Sequence, residues 1–498
     1  MRTGEKMRTY EEGRFRGDGG RRLLVRLSGE VGTKSRRTRR RFLGILVRNM
    51  YRALRAAGIR ADIRPEWSRV FVSTGDPARA REALVRVFGI RSVAEVVEVP
   101  YTSLEGLVEE LVPLFGGRVS GRTFAVRPRA ERAPVSSRDV AYELGAALLP
   151  FSAGVDLDRP EVEVPVELTG ERAFAVMEST PGPEGLPLGT GGRAVALFSG
   201  GFDSPVAAWR TMRRGVRLDL LICDLGGCGQ IEQALAVARE LAVRWAPGHG
   251  VRAHVVDLAP VVAALVRRVN PRLRQLLLKR AMYRAGSLLA GEVGAEALVT
   301  GESIGQVSTQ TLRNLSVAER AAGLPVLRPL VGTEKNEIID TARRIGTHGA
   351  SAAVKEHCSI ATGPVETWAE PEEVLGAEGE LGRDVDEGWM RRAVENRRVI
   401  DLRHWEPEET PSYVVDRVPE GAVVVDVREP GEGPQVGEIR LPFSRAPELL
   451  GGLDRSREYL LVCASGRRSE ILARELLERG YKASSLEGGV ERLAAAQG

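Results

Sequence analysis

Apolar and polar residues follow two spacings along this chain, and the alternation between them predicts a series of β-strands and α-helices. Short apolar runs between turn residues are typical of buried strands, and apolar residues three or four positions apart are typical of helices. One apolar run, residues 194–198, leads into a glycine-containing turn and then into a helical pattern that ends at Gly215. Ser204 is the expected N-cap of this helix and Pro205 its first residue. We therefore expect a strand, a turn and a helix in direct succession.

The N-terminal part combines strands and helices in an order that is typical of small α+β units. Residues 1–20 are polar and rich in glycine, and we expect them to be a disordered tail. Within residues 21–100, strand patterns such as Leu23–Leu27 alternate with helical patterns such as Arg36–Ala57, as in a ferredoxin-like domain. Residues 101–180 repeat this theme. The pattern therefore predicts two small domains before residue 181.

The C-terminal part predicts two further α/β domains. Residues 181–365 alternate regularly between strands and helices, which indicates a doubly wound domain with a parallel sheet. Residues 366–410 contain 14 acidic and 6 basic residues, which predicts an acidic, solvated linker that acts as a hinge. A helix is the alternative for residues 389–404 within this segment. Residues 411–498 return to strands and helices and form the last domain.

The charge of the chain is concentrated at its N-terminal end. Its 498 residues carry a formal net charge of only +5, but residues 1–60 contain 18 Lys and Arg against 5 Asp and Glu. Such an excess favours binding of a polyanion such as a nucleic acid. A GC-rich or heat-adapted source is the alternative explanation for the many arginines.

The composition also restricts the class of protein. No apolar run is long enough to span a bilayer, and no signal-peptide core follows the arginine-rich N-terminus. We therefore expect a cytoplasmic protein without a membrane partner. Four cysteines in so long a chain do not form a disulfide scaffold, so each needs its own explanation.

The turn Ser199–Ser204, with the sequence Ser-Gly-Gly-Phe-Asp-Ser, is the first candidate for chemistry. Gly200 and Gly201 allow the backbone to approach phosphate oxygens, and amides at the helix start point towards the charge. The turn lacks the Gly-Lys-Ser/Thr ending of a Walker loop. It resembles instead the pyrophosphatase loop of enzymes that adenylate a substrate with ATP. The alternative is a glycine turn that only joins a strand to a helix.

A second polar segment, residues 301–314, follows directly after the strand pattern 297–300. Ligands of open parallel sheets bind beyond the carboxyl ends of the strands. Amides, hydroxyls and carboxamides at this position would suit a base and a ribose, and Lys279 on the preceding helix would reach the same crevice. A solvated loop is the simpler alternative.

Cys463 is the candidate nucleophile of the last domain. A strand delivers it into a loop that opens a predicted helix, Ser469–Arg479. Loop amides, the helix start, Arg467 and Arg468 would lower the pKa of this thiol and stabilise its anion. A buried core cysteine at a strand end is the alternative.

These motifs together resemble the tRNA 4-thiouridine synthetase family. The resemblance is carried by Ser199–Ser204 with the following Pro-Val-Ala, by Leu278–Met282 and by the segment that begins at Ala297. It covers the chain from about residue 22 to the C-terminus. The stretch Thr123–Arg127 and its neighbouring elements resemble a THUMP domain, an RNA-binding module. Residues 422–490 resemble a rhodanese domain, although Gly437-Glu-Ile-Arg stands where many rhodaneses have Gly-His-Ile.

The resemblance implies a role for individual residues. Asp203 would be essential for adenylation, and Cys358 would form a disulfide with Cys463 during turnover. Cys223 and Cys228 are interpreted as structural, and no residue is assigned as a ligand of a resident metal. The residues expected at the ATP site are Leu197, Phe198, Ser199, Gly200, Gly201, Ser204, Lys279, Gly301 and Gln310.

The resemblance also implies an activity and its partners. The expected fold is a multidomain α/β protein with a ferredoxin-like unit, a THUMP domain, a doubly wound PP-loop pyrophosphatase domain and a rhodanese-like domain. The expected enzyme uses ATP and Mg²⁺ to make 4-thiouridine at position eight of tRNA, with persulfide sulfur from a cysteine desulfurase. A homodimer and a second role in supplying a thiamine sulfur-carrier protein are also implied. The alternatives are another PP-loop ligase or amidotransferase, and an RNA-binding adaptor that only carries sulfur.

Overall fold

A computed structural model of the chain describes residues 21–66, 69–170, 172–226, 228–307, 309–354, 365–407 and 412–497. The chain forms two compact units, Met1–Leu188 and Gly189–Gly498, which are considered separately. Within the described ranges, none of the helices combines the length and the apolar character needed to cross a membrane.

One mixed sheet forms the core of the N-terminal unit. Its strands, as far as the structure describes the unit, are β1 (Arg21–Leu27), β2 (Ala61–Pro65), β3 (Arg69–Thr74), β4 (Ile90–Pro100), β5 (Thr123–Glu131), β6 (Gly154–Val155), β7 (Val162–Thr169) and β8 (Arg172–Pro181). Their order in the sheet is β2-β3-β1-β4-β8-β7-β5-β6. The long strand β4 pairs with β1 on one side and β8 on the other. The two small domains predicted before residue 181 therefore share a continuous sheet.

The helices of this unit cover the sheet with their apolar positions. They are α1 (Gly29–Gly32), α2 (Arg36–Ala56), α3 (Pro77–Leu84), α4 (Leu104–Val119) and α5 (Ser137–Leu148). In α2, Phe42, Leu46 and Met50 are buried at a spacing of four residues, which is the reason why this segment is an amphipathic helix. The opposite face of α2 exposes arginines at its N-terminal end.

A second sheet organises the first part of the C-terminal unit. Its strands among the described residues are β9 (Arg193–Leu197), β10 (Arg217–Asp224), β11 (Arg252–Asp257), β12 (Ala297–Val299), β13 (Val326–Leu327) and β14 (Arg398–Asp401). Their order is β13-β12-β9-β10-β11-β14, and every pair is parallel except β11 with β14. The carboxyl ends of β9, β10 and β12 therefore lie at one edge, where a ligand site is expected.

Nine helices flank this sheet in the part of the chain that the structure describes. They are α6 (Asp203–Arg213), α7 (Cys228–Trp245), α8 (Ala259–Arg268), α9 (Arg274–Val293), α10 (Leu312–Glu319), α11 (Lys335–Ile345), α12 (His348–Ala353), α13 (Pro371–Leu381) and α14 (Glu387–Glu395). The prediction of Ser204 as N-cap and Pro205 as first residue of α6 was wrong, because the helix already begins at Asp203 after Phe202. The hydroxyl of Ser204 turns back to the preceding loop and does not cap the helix.

The acidic segment after residue 365 is folded, which differs from the predicted solvated hinge. Helices α13 and α14 bury Val374, Leu381, Met390 and Val394, and β14 extends the sheet at its edge. Several acidic residues of the segment have basic partners outside it: Glu378, for example, forms ion pairs with Arg280 and Arg284 of α9. The acidic residues in this segment therefore include a helix face that packs against the arginines of α9.

The last part of the unit is a parallel sheet with flanking helices. The described strands are β15 (Val414–Val415), β16 (Val423–Asp426), β17 (Ile439–Arg440), β18 (Glu458–Val462) and β19 (Lys482–Leu486), in the order β15-β19-β18-β16-β17. The helices are α15 (Ala446–Leu449), α16 (Arg467–Glu478) and α17 (Gly489–Gln497). Buried side chains of this part, such as Phe443 and Ile471, belong to the same apolar cluster as Val261 and Leu265 of α8.

Candidate functional site

A cleft of about 240 Å³ opens at the carboxyl ends of β9, β10 and β12. It brings together most of the residues that the sequence assigned to a nucleotide site. The predicted residues that line it are Leu197, Phe198, Ser199, Asp203, Ser204, Lys279, Gly301 and Gln310. Gly200 and Gly201 lie in the same turn but are not part of the lining. Gly200 adopts a φ of +83°, a left-handed conformation that explains why glycine occupies this position.

The hydroxyl of Ser204 organises the turn between β9 and α6. Its oxygen accepts hydrogen bonds from the amides of Ser199 and Gly200, both at 3.2 Å. These bonds hold the turn against the start of α6. The first amides of a helix have no partner within the helix, and together with the helix dipole they favour an anion at this position. The arrangement is suited to binding a phosphate group at the helix start.

Asp203 has two polar partners at the mouth of the cleft. Lys335 Nζ lies 2.9 Å from Oδ1 and 3.1 Å from Oδ2, and Gln306 Nε2 donates to Oδ2 at 2.8 Å. Lys335 Nζ also lies 5.8 Å from the centre of the Phe202 ring. Sequence reasoning missed Lys335. Its position beyond the carboxyl end of β13 was the available signal, but β13 has only two residues and was not predicted.

A buried carboxylate, Glu302, holds the basic residues on the other side of the cleft. Its oxygens contact Lys279 Nζ at 2.7 Å and Arg328 Nε at 2.9 Å, and it accepts hydrogen bonds from Tyr283 and Thr300. Burial by itself would raise the pKa of Glu302, but the charges of Lys279 and Arg328 and the hydrogen bonds lower it overall. Glu302 is therefore ionised and fixes Lys279 at the cleft. Sequence reasoning did not single out Glu302 or Arg328.

Cys223, which the sequence suggested as structural, also lines the cleft near the end of β10. Burial, together with the nearby charge of Asp224, raises the pKa of its thiol to about 12. The thiol is therefore protonated at neutral pH and is a poor nucleophile. Cys228 is the first residue of α7.

The second predicted centre, Cys463, directly follows β18 and is 1% exposed. Its Sγ accepts a hydrogen bond from the amide of Gly466 at 3.2 Å and lies 3.5 Å from the hydroxyl of Ser469. These donors stand at the start of α16, so an anionic sulfur at this position would be stabilised by the helix dipole.

The two arginines after Cys463 have different partners. Arg468 forms two hydrogen bonds with Glu432, and burial would lower its pKa, but Glu432 and the charge of Cys463 raise it overall. Arg467 Nη2 donates to Gln230 Oε1 at 2.6 Å, and Gln230 lines the nucleotide cleft. Arg468 therefore acts electrostatically on the sulfur, as the sequence suggested.

Of two remaining features, Cys358 and the basic residues of the N-terminal unit, the structure describes only the second. Cys358 falls in residues 355–364, which lie outside the described residues, so its pairing with Cys463 stays a prediction. Arginines 36, 37, 40 and 41 of α2, as well as Lys34, Arg129 and Arg132, are exposed on the N-terminal unit.

Comparison with protein families gives three matches in chain order. A model described as "ThiI ferredoxin-like domain" matches residues 22–94, one described as "Thiamine biosynthesis protein (ThiI)" matches residues 189–382, and one described as "Rhodanese-like domain" matches residues 386–496. The predicted fold class is confirmed by these matches.

Similar proteins match over nearly the whole chain. A tRNA sulfurtransferase of Desulfurococcus amylolyticus is 38% identical over 95% of this chain and 98% of its own length. A tRNA sulfurtransferase of Pyrobaculum aerophilum is 37% identical over 93% of this chain and 96% of its own. Among solved structures, a 4-thiouridine synthetase–RNA complex with bound ATP superimposes with a TM-score of 0.66 at 28% identity, and covers 76% of this chain and 99% of that one.

Proposed function

This chain belongs to the tRNA sulfurtransferase (ThiI) family, and we propose that it makes 4-thiouridine at position eight of tRNA with ATP and persulfide sulfur. One observation carries the proposal: a single cleft joins the turn Ser199–Ser204, Asp203 and Lys279. The structural relative with bound ATP and RNA supports ATP and tRNA as the substrates of this chain as well.

Activation of the uridine is the first chemical problem. The carbonyl carbon of the base is a weak electrophile, since its oxygen is a very poor leaving group. Attack of that oxygen on the α-phosphorus of ATP releases pyrophosphate and converts the oxygen into part of a good leaving group, AMP. The turn Ser199–Ser204 would hold the departing pyrophosphate, and Lys279 and Lys335 would balance the charge that develops on it.

Mg²⁺ fits the donor groups at this cleft. Asp203 is a carboxylate directly beside the phosphate turn, and Mg²⁺ in nucleotide sites is commonly held by one or two carboxylates together with phosphate oxygens. Asp203 would be the residue that holds the ion, and Lys335 beside it would supply a further positive charge for the phosphates. The ion would supply charge neutralisation for the pyrophosphate group.

Sulfur transfer is the second step, and Cys463 is its proposed carrier. A cysteine desulfurase loads Cys463 with a persulfide, whose terminal sulfur attacks the activated carbon and expels AMP. The nucleotide is then joined to Cys463 through a disulfide. The thiolate of Cys358 attacks the Cys463 sulfur, which releases thiouridine and leaves a Cys358–Cys463 disulfide for an external thiol to reduce. Alternatively, Cys358 reduces the persulfide first and free sulfide is the nucleophile. Both routes end in the same disulfide.

The N-terminal unit is the proposed tRNA-binding part. The exposed basic residues of α2 and the arginines near β5 would contact phosphates, and a THUMP-like module would recognise the shape of the acceptor end. We propose residues 21–100 and 101–180 as the two domains of this unit, and residues 181–365 and 411–498 as the adenylation and rhodanese-like domains.

Several finer properties are proposed from family membership alone. They are a cytoplasmic location, a homodimeric state and a second role as sulfur donor to a thiamine sulfur-carrier protein. The rhodanese-like domain supports the last of these, because the same persulfide on Cys463 would serve both acceptors.

One assay tests the proposed function against its alternatives. The protein is incubated with tRNA, ATP and a persulfide source, and the products are analysed for thiouridine and pyrophosphate. We expect thiouridine with the wild-type chain and none with Asp203→Ala. Pyrophosphate release without RNA would indicate a different PP-loop ligase or amidotransferase, and neither product would indicate a sulfur-carrying adaptor. An Asp203→Ala protein that thiolates tRNA at the normal rate would contradict the adenylation assignment.

A further inference from the structure

The loop that carries Cys463 touches the wall of the nucleotide cleft. Arg467 stands four residues after Cys463, at the start of α16, and donates to Gln230 of α7 at 2.6 Å. Gln230 is one of the side chains that line the cleft. The sulfur loop and the cleft wall are therefore joined by a hydrogen bond between two domains that are far apart in sequence.

Two ion pairs extend this contact along α16, and in one of them α16 supplies the acid, in the other the base. Arg267 of α8 pairs with Glu475 of α16 at 3.0 Å, and Arg474 of α16 pairs with Asp257 at the end of β11 at 3.4 Å. Each side thus offers one positive and one negative group. Rotation or a slip of one surface would bring like charges together, so this pattern specifies one orientation.

A cation–π contact and a close apolar contact complete the interface. The guanidinium of Arg267 lies 5.5 Å from the centre of the Phe443 ring. Ile471 of α16 lies against the backbone of Gly226, where a Cβ would come within 2.5 Å of Ile471 Cγ1. The fit is close, but the ion pairs are partly exposed, so the contact can be released at modest cost.

We propose that these contacts form a docking interface that places the Cys463 loop at the nucleotide cleft for sulfur transfer. Gln230, Arg267, Arg467 and Glu475 are positioning residues of this interface. The inference rests on the proposed function and adds a defined surface to it. Sulfur transfer requires the Cys463 loop to be held in a defined position beside the substrate in the cleft. Loading by a desulfurase requires the same sulfur, which is buried here, to become accessible. A releasable interface meets both requirements.

A charge swap in the full-length protein tests the proposal. Arg267→Glu and Glu475→Arg each place like charges across the interface, and the double variant restores an ion pair with reversed polarity. We expect each single variant, preloaded with persulfide, to thiolate tRNA roughly tenfold more slowly in a single turnover, and the double variant to recover most of the rate. Arg268→Glu is the matched control, because Arg268 is the next residue of α8 but pairs with Asp384 instead of α16.

Two further readouts separate docking from damage to either centre. Transfer of radiolabelled sulfur from cysteine to Cys463 by a desulfurase and tRNA-dependent release of pyrophosphate are both expected to be unchanged in the single variants. The proposal would be overturned by single variants that transfer sulfur at the wild-type rate, by a double variant that stays as slow as the singles, or by a parallel loss of loading. Failure of the proposed function would look different, because the wild-type chain would then make no thiouridine.

Discussion

Asp203 and Lys335 form an ion pair at the mouth of the cleft, which holds the Asp203 carboxylate in one position. The ammonium of Lys335 contacts both carboxylate oxygens of Asp203, and Gln306 donates to one of them. The carboxylate is therefore fixed before any nucleotide binds. Lys335 would therefore present a fixed positive charge to the phosphates of ATP.

Replacement of Lys335 tests this role. We expect Lys335→Met to slow tRNA-dependent pyrophosphate release by roughly 100-fold. Loss of one group that stabilises the negative charge of a transition state typically has an effect of this size. Binding of tRNA is expected to be unchanged. The control is Lys482→Met, which removes an exposed lysine from β19. Pyrophosphate release at the wild-type rate in the Lys335 variant would show that this lysine has no part in adenylation.

Glu302 is expected to contribute to stability as well as to the site. Glu302→Gln leaves Lys279 and Arg328 without their anionic partner, so we expect the free energy of unfolding at neutral pH to fall by roughly 1.5–3 kcal/mol. The pKa of Glu302 is lowered in the folded chain, so its contribution is present above the unfolded pKa and is lost as the pH falls through the folded value. The difference between wild type and variant should therefore narrow in acid.

Urea unfolding of both proteins at neutral and at acidic pH measures this effect. A difference in stability that stays constant, or that grows on acidification, would be inconsistent with an ionised Glu302 in the folded protein.

At the level of secondary-structure elements, the cleft depends on the close approach of β12 to the start of α6. Gly301 follows β12, and a Cβ at this position would lie 2.9 Å from the carbonyl carbon of Asp203 and from the amide nitrogen of Ser204. These are backbone atoms, which cannot move aside without displacing the helix start. The glycine therefore sets how closely the two elements meet.

Gly301→Ala should separate these elements and weaken binding of ATP. We expect at least a tenfold increase in the dissociation constant of ATP, since a shift of the helix start misplaces the phosphate site. Gly291→Ala is the control, because it adds the same methyl group to α9 with no atom within 4 Å. Isothermal titration with ATP compares the two variants, and equal affinities would refute the argument.

The elements that the sequence predicts best are those with a strong local pattern. The strands β10, β11 and β18 coincide with apolar runs, and the amphipathic helix α2 has its predicted limits to within one residue. The short strands β13 and β14 were missed, because they are defined by pairing with distant strands. In the acidic segment a helix was considered only for residues 389–404, which α14 overlaps, and α13 was missed, since the acids of α13 find partners only in the tertiary structure.

The same distinction applies to the candidate site. Residues within one motif, such as Ser199 and Ser204, could be assigned from the sequence, and so could Lys279 and Gln310 through the family resemblance. Lys335 could not, because it reaches Asp203 from an element that lies 132 positions away in the chain. Contacts of this kind depend on how the strands are ordered in the sheet, and the residue spacing does not reveal that order.

At the level of the whole molecule, RNA binding and chemistry are expected to lie on different units. The N-terminal unit carries an excess of exposed positive charge, and the C-terminal unit contains the cleft and Cys463. Affinity for tRNA should therefore be controlled by the first unit and chemistry by the second.

Removal of positive charge from α2 tests this division. A variant with alanine at four exposed arginines is expected to bind tRNA more weakly. Its affinity should also depend less on salt: the slope of log affinity against log salt concentration should become shallower by up to about 0.9 for each phosphate that is no longer neutralised. The substituted residues are Arg36, Arg37, Arg40 and Arg41. The control replaces four exposed arginines of the C-terminal unit, Arg445, Arg455, Arg457 and Arg479. An equal decrease in affinity in both variants would refute the division.

The central claim is that sulfur passes from Cys463 into a uridine of tRNA in a reaction that consumes ATP. Its most direct test loads Cys463 with a persulfide whose outer sulfur is a heavy isotope, removes excess donor, and adds tRNA and ATP for a single turnover. Mass spectrometry of the digested tRNA should find the heavy isotope in 4-thiouridine at position eight. Without ATP, or with Cys463→Ser, none should be found. Heavy thiouridine formed without ATP, or unlabelled thiouridine formed by the loaded enzyme, would contradict the account.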